Sequence, residues 1–292
     1  MKITIIGGGN MGGAIAGGLA AGNMIAAGDI TVTARTARTL DRIKECNSAI
    51  VTMSDNRAAV ESADLVLFAV KPWLLEEIAA GVRDVLDYRR QQVASVVAGV
   101  SFERLTEMLD NGSGIAPVLY RIIPNTAISL GRSVTFIAHS GATGEQLNAV
   151  VAMFDQLGRT FVVTEEMMTA GTSLASCGIA FALKYIDASI RGGVELGFSA
   201  AESREVVMQT MRGALALLEC NDTMPQQEID KVTTPGGITL KGLEAMTVEP
   251  ARRDRREIEK EFKRKEARRR FYGTISIRTG GCQGGQQCAD EG

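Results

Sequence analysis

The turn Gly7-Gly8-Gly9-Asn10-Met11-Gly12 constrains this chain more than any other segment. It follows the apolar run Lys2–Ile6 at once and opens the small-residue pattern Met11–Gly22, so it joins a buried strand to a helix. Glycines spaced G-x-G-x-x-G each have a separate reason at such a junction. The first permits the tight turn, the second leaves the backbone open to a ligand, and the third lets helix and strand pack closely. The helix start adds free N–H groups and the positive end of a dipole, which suits a diphosphate. A flexible Gly-rich turn would account for the glycines alone. The strand before them and the helix after them favour a dinucleotide site of Rossmann type.

The next 150 residues repeat the strand–helix alternation. Asp29–Ala34, Ala63–Val70, Gln92–Val97, Val118–Ile122 and Val134–Ile137 read as strands. Arg38–Cys46, Trp73–Leu86 and Phe102–Leu109 read as helices between them. That alternation implies a mostly parallel, doubly wound α/β sheet over residues 1–164. Beyond Gly158–Thr164 the strand signal stops, and residues 165–246 carry long helical patterns broken at Gly197–Ser199 and Asn221–Pro225. They form an all-helical second domain in this reading. Residues 247–292 change character: Ala251–Arg270 holds eleven Lys/Arg against five Asp/Glu, and Gly280–Gly292 is rich in Gly and Gln. Such composition cannot offset chain entropy by burial, so a charged, disordered or non-native tail is expected there.

Composition narrows the class. A hydrophobic share of 45% with a net charge of −2 is globular, and argues against nucleic-acid or membrane partners. No uninterrupted run of about 18 apolar residues appears, so no transmembrane helix is expected. The N-terminal residues reach glycines too early for the apolar stretch of a secretory signal, so none is expected. Five cysteines without a CxxC fit free thiols in a reducing cytoplasm, and no metal-ligand set is seen.

The second strand ends Thr33-Ala34-Arg35-Thr36, where an NAD site would place an acid for the ribose 2′-hydroxyl. Arg35 suits a 2′-phosphate and adenine stacking, with Thr36 adding a hydroxyl, so NADPH is expected and NADH only weakly. The alternative is an ordinary exposed loop arginine.

These residues, with Leu67–Pro72 (LFAVKP), Arg121–Thr126 (RIIPNT) and Val232–Gly237 (VTTPGG), resemble the pyrroline-5-carboxylate reductase family in order and spacing, over residues 1 to about 246. The resemblance implies hydride transfer from NADPH to the C=N carbon of 1-pyrroline-5-carboxylate, the last step of proline biosynthesis. It also implies a helical substrate and dimerisation domain, a homodimer or higher homo-oligomer, and active sites near the subunit boundary. By that likeness the cofactor contacts are Gly7, Gly9, Asn10, Met11, Gly12, Arg35, Thr36, Asn56, Ala69, Val70, Lys71, Pro72, Ala98 and Gly99.

The substrate side has physical support of its own. In Thr234-Pro235-Gly236-Gly237-Ile238-Thr239 two glycines precede the helical pattern Leu240–Met246, leaving backbone N–H groups open between threonine hydroxyls. That makes Thr234, Gly236, Gly237 and Thr239 a carboxylate cradle, although a plain helix cap would look the same locally. The family's substrate loop maps onto Thr172–Phe181, with Ser176, Cys177, Ile179 and Phe181 departing from it; Thr172 is the hydroxyl expected nearest the imine nitrogen. A protonated imine needs placement more than a strong acid, which fits a chain whose single histidine, His139, reads as a loop residue just past a strand. Asp222, where the family often carries an acid, either holds a water or orients the ring nitrogen, or is an exposed loop residue. Two other readings remain. A β-hydroxyacid dehydrogenase would use Lys184 near Asp187 as proton donor. A non-catalytic NADP(H)-binding regulatory protein would explain the altered loop and the tail.

Overall fold

A computed structural model describes residues 1–246. The expectations for residues 247–292 lie outside the described residues. One eight-stranded sheet organises the first part of the chain: β1 (Ile3–Ile6), β2 (Ile30–Thr33), β3 (Val51–Met53), β4 (Leu65–Phe68), β5 (Gln92–Ser95), β6 (Val118–Ile123), β7 (Ser133–Ser140) and β8 (Gly158–Val162). The order is β3-β2-β1-β4-β5-β6-β7-β8. All pairs are parallel except β6–β7, where Ile122 faces Ile137 in antiparallel register. This is the mostly parallel sheet expected from the alternating pattern.

Strands β1 and β4 read ITII and LVLF and are buried at every position. Runs without polar alternation are what a sheet covered on both faces requires. The covering helices are α1 (Asn10–Ala21), α2 (Ala37–Cys46), α3 (Asn56–Glu61), α4 (Leu75–Val82), α5 (Phe102–Leu109) and α6 (Gly144–Asp155). One face packs Ile5, Ile15, Leu19, Tyr120, Phe154 and their neighbours; the other packs Phe68, Leu75, Val93, Leu105 and theirs. The element pair β3–α3 was not anticipated. Val51–Met53 is three residues long and only partly buried at the sheet edge, too short to show a period.

After β8 come α7 (Met167–Gly171), a π-helical turn (Thr172–Ser176), α8 (Gly178–Glu195), α9 (Ala200–Asn221), α10 (Pro225–Val232) and α11 (Ile238–Ala245). Ser199 caps α9 through a reciprocal box with Glu202, and Asp222 ends it in a left-handed conformation with φ of 49°. From residue 172 onward only Thr172, Ser173 and Ser203 are buried among the described residues.

Two expectations need correction here. His139 is not past a strand: it lies inside β7, paired with Tyr120 and exposed. The segment Thr172–Phe181 is not a loop, because α7 runs through the π-helical turn into α8. The stretch Met167–Glu195 also reaches a mean hydropathy of 1.2 over 18 residues, with 6% of that window buried. By length and composition alone it passes for a membrane span, which a search for uninterrupted apolar runs overlooked.

Candidate active site

Four loops leave the carboxyl ends of β1, β2, β4 and β5 side by side, where the sheet order reverses around β1. Open parallel sheets bind ligands at such a switch point. Gly7 has φ of +111°, and the N–H groups of Gly7 and Gly8 both donate to Thr33 O, at 3.0 and 2.8 Å. A Cβ on Gly7 would sit 2.6 Å from Ala69 O, and one on Gly12 would sit 2.0 Å from Gly7 O. Those two positions are closed to any side chain. Gly9 differs: it is exposed, and a Cβ there would meet nothing within 4 Å. It is also the N-cap of α1, with no side chain capping the helix and no acid in its first turn. An open backbone surface at an uncapped twelve-residue helix is a surface a diphosphate fits. Asn10 and Met11 form the first turn behind it.

Arg35 and Thr36 are exposed at the end of β2, and Thr36 Oγ1 lies 2.9 Å from Thr39 Oγ1. Arg38 is exposed one step into α2. Sequence reasoning missed Arg42, whose Nη2 donates to Gly8 O at 2.9 Å and ties α2 to the glycine turn. Its signal was the spacing of four from Arg38, which puts both on one helix face. Asn56 begins α3 beside its N-cap Asp55, whose carboxylate accepts from Arg57 N and Ala58 N. Ala69 N donates to Ile6 O at 2.9 Å, setting Ala69, Val70, Lys71 and Pro72 beside the glycine turn. Val96 N donates to Phe68 O at 3.0 Å, so the loop holding Ala98 and Gly99 leaves β5 next to them; Gly99 has φ of +72°. All the expected cofactor segments thus open on one rim of the sheet.

The substrate side is divided. Thr172 is buried in the π-helical turn, and its Oγ1 donates to Met168 O at 2.7 Å. That bond occupies the hydroxyl proton and leaves the oxygen lone pairs to accept from a ligand. Gly237 is the N-cap of α11, again with no side-chain cap, and its N–H donates to Thr234 O at 2.9 Å. Thr234, Gly236 and Thr239 are exposed around it. Among the described residues no hydrogen bond, salt bridge or apolar cluster joins Thr234–Thr239 to Thr172 or to the cofactor loops.

The remaining candidates sit elsewhere. Burial pushes the Cys177 thiol up, which works against a thiolate nucleophile. Lys184 is exposed on α8 and pairs with Asp187 at 3.6 Å, where Arg191 also reaches at 3.2 Å. Asp222 is exposed, and its left-handed C-cap geometry suits a short polar side chain.

Fold and rim together define a nicotinamide-dependent oxidoreductase with an appended helical domain. Residues 2–99 match the family described as NADP oxidoreductase, coenzyme F420-dependent; residues 165–267 match the family described as pyrroline-5-carboxylate reductase dimerisation. The second match continues by sequence past Met246. The chain is 33% identical to pyrroline-5-carboxylate reductase 1 of Dictyostelium discoideum over 84% of its length, spanning 45% of that protein. It is 30% identical to pyrroline-5-carboxylate reductase 2 of the same organism, over 84% of this chain and 85% of that one. The pyrroline carboxylate reductase of Plasmodium falciparum, solved with NADP bound, shares its fold: TM-score 0.80, 23% identity, 91% of this chain and 97% of that one. The chain belongs to the pyrroline-5-carboxylate reductase family. The apolar stretch Met167–Glu195 falls within the dimerisation match, which gives its exposed side chains a covering other than lipid.

Proposed function

We propose that this protein reduces 1-pyrroline-5-carboxylate to proline, the last step of proline biosynthesis, with NADPH as the preferred reductant, in the cytoplasm. Family membership supports the reaction. The observation that carries the site is the open, uncapped backbone at Gly9, ringed by the loops of Arg35, Asn56, Ala69–Pro72 and Ala98–Gly99. A bound nicotinamide cofactor supplies the hydride. The α1 amides behind Gly9 hold a diphosphate. Arg35 and Thr36 take the 2′-phosphate, and Asn56 the adenine ribose. Ala69, Val70, Lys71 and Pro72 would hold the nicotinamide ribose, and Ala98 with Gly99 would hold the ring.

Thr172 has a defined part in this scheme. Because its proton is committed to Met168 O, it accepts from an iminium N–H and so favours the protonated, more electrophilic imine. The threonine–glycine cradle holds the substrate carboxylate. Since no bond or apolar cluster among the described residues ties that cradle to Thr172, and both lie in the residues matched to a dimerisation family, we assign it to the site of a second subunit in a homo-oligomer. Lys184, the donor a hydroxyacid dehydrogenase would use, is exposed on α8 and paired with Asp187. Unpaired Cys46, Cys177 and Cys220 suit a reducing compartment.

The test is the absorbance change of NADPH when the purified protein meets pyrroline-5-carboxylate. Imine-dependent oxidation with proline as product is expected. NADPH binding without turnover on any cyclic imine would instead select a regulatory, non-catalytic role.

A further inference from the structure

Arg121 begins one of the segments that mark the family resemblance, yet neither the cofactor loops nor the cradle uses it. It lies in β6 with its side chain 8% exposed, and its Nη1 donates to Oε1 of Glu165 at 2.6 Å. The same oxygen accepts the backbone N–H of Phe102, the first residue of α5, at 2.7 Å. The Phe102 ring stands over the guanidinium, 6.0 Å from centroid to Cζ. Under this group Ile123, Ala138 and Met168 pack with Phe102, Phe136 and Val163. One carboxylate oxygen thus joins β6, the start of α5 and the approach to α7. A second tie follows, where Ser176 Oγ donates to Pro124 O at 3.0 Å.

The two ties bracket a functional segment. Thr172 lies between Glu165 and Ser176, and Phe102 closely follows Ala98–Gly99. Hydride transfer requires the nicotinamide and imine carbons in contact, and a misplacement of about 1 Å costs on the order of 10²-fold in rate. Here the two sides of that contact come from different parts of the chain. Apolar packing alone is non-directional. A guanidinium–carboxylate hydrogen bond sets direction as well as distance.

We propose that the Arg121–Glu165 pair is a positioning device that holds the Ala98–Gly99 loop in register with the helical turn carrying Thr172. The proposal rests on the reductase reading above. It makes Arg121 and Glu165 positioning residues, touching neither cofactor nor substrate.

The test uses the full-length protein with Glu165→Gln, which keeps an oxygen for Phe102 N–H but removes the charge, and Arg121→Lys, which keeps the charge but loses the planar fork. Expected for both is a fall in kcat of roughly 10–100-fold. NADPH affinity, read by fluorescence titration, should stay within about threefold, a change small beside the effect on rate. The deuterium isotope effect on kcat, measured with NADPH labelled at the transferred position, should rise, because misplacement slows the chemical step itself. Without any ligand, amide exchange across residues 96–102 and 165–176 should accelerate in both variants. If one variant fails to fold, the other carries the same readouts. Folded variants with unchanged kcat, isotope effect and exchange would overturn the proposal, as would NADPH affinity falling in step with kcat. A wild-type protein that binds NADPH but never reduces the pyrroline would overturn the reductase reading, and the positioning role with it.

Discussion

The sheet region and the helical region bury apolar side chains in opposite ways. Around the sheet, large side chains such as Phe68, Leu67, Tyr120 and Phe154 are at most 1% exposed. Among the described residues beyond Gly171 no hydrophobic side chain is buried: Leu183 is 58% exposed, Leu215 61%, Leu196 85% and Ile238 88%. Fully burying one such side chain stabilises by about 1.5–3 kcal/mol. The sheet region collects that gain within one chain, whereas the helical region leaves it uncollected until another surface covers it. An apolar surface of this extent is an interface rather than an exterior. The dimerisation family matched over residues 165–267 supports a homo-oligomer, and another copy is the cover tested below. The proposed cofactor rim thus lies in the region that is packed within one chain, and the proposed cradle in the region whose apolar side chains one chain leaves exposed.

The largest effect should come from attacking that dependence. Leu183→Glu with Leu215→Glu places charges on α8 and α9, and should dissociate the oligomer and remove turnover by 10³-fold or more, on the order of losing most substrate binding and orientation energy. NADPH binding should survive. Light scattering with cofactor titration checks both, and an active monomer would contradict the contrast between regions.

Within the sheet region, Gly12→Ala and Gly9→Ala should separate packing from ligand contact. Gly12→Ala forces a Cβ against Gly7 O and should cost about 2–4 kcal/mol of stability, within the overpacking range and above it for a backbone clash. Gly9→Ala fills only open space, so thermal unfolding should hardly change while NADPH binds at least about tenfold more weakly, the loss of roughly one close contact. Equal melting losses in the two variants would show that Gly9 serves packing.

Thr234→Ala with Thr239→Ala should raise the KM for the pyrroline by roughly 10–100-fold for two lost hydroxyl contacts, sparing NADPH affinity. An unchanged KM would reduce Thr234–Thr239 to a helix cap. Arg35→Ala should weaken NADPH by about 1–3 kcal/mol, the usual loss of a charge-assisted contact, and leave NADH nearly unaltered. Equal losses for both cofactors would remove Arg35 from the 2′-phosphate.

The smallest effect concerns acid. Hydrogen bonds from Lys231 (2.7 Å), Thr223 (2.6 Å) and Asn221 (3.1 Å) hold the Glu228 carboxyl down at about 2, below its ordinary 4.5. A carboxylate held low in the folded state contributes stability above its ordinary value. That contribution is lost as pH falls from 4.5 towards about 2. Glu228→Gln should flatten the acid limb of a helicity titration slightly; an unchanged limb would show that the α9–α10 turn does not depend on this charge.

Much of this protein was legible as sequence. Phe102–Leu109 was read as a helix over the residues it occupies, and the glycine turn announced β1 and α1, because strand period, helix period and glycine spacing are local properties of the chain. Membership of the reductase family followed from motifs of the same local kind. Other features depend on partners distant in the chain. Arg42 reaches the glycine turn only after α2 has packed, and β3 exists only because β2 offers it an edge. The helical pattern of residues 165–246 already included the Thr172 segment, whereas the family likeness mapped a loop there; α7 and α8 continue through it. Arg121 was legible as part of a motif, but that it meets Glu165 under the Phe102 ring was decided by tertiary structure. The physical reason is shared: local pattern dictates which elements form and which face is apolar, while the meeting of elements is set by packing across the whole chain.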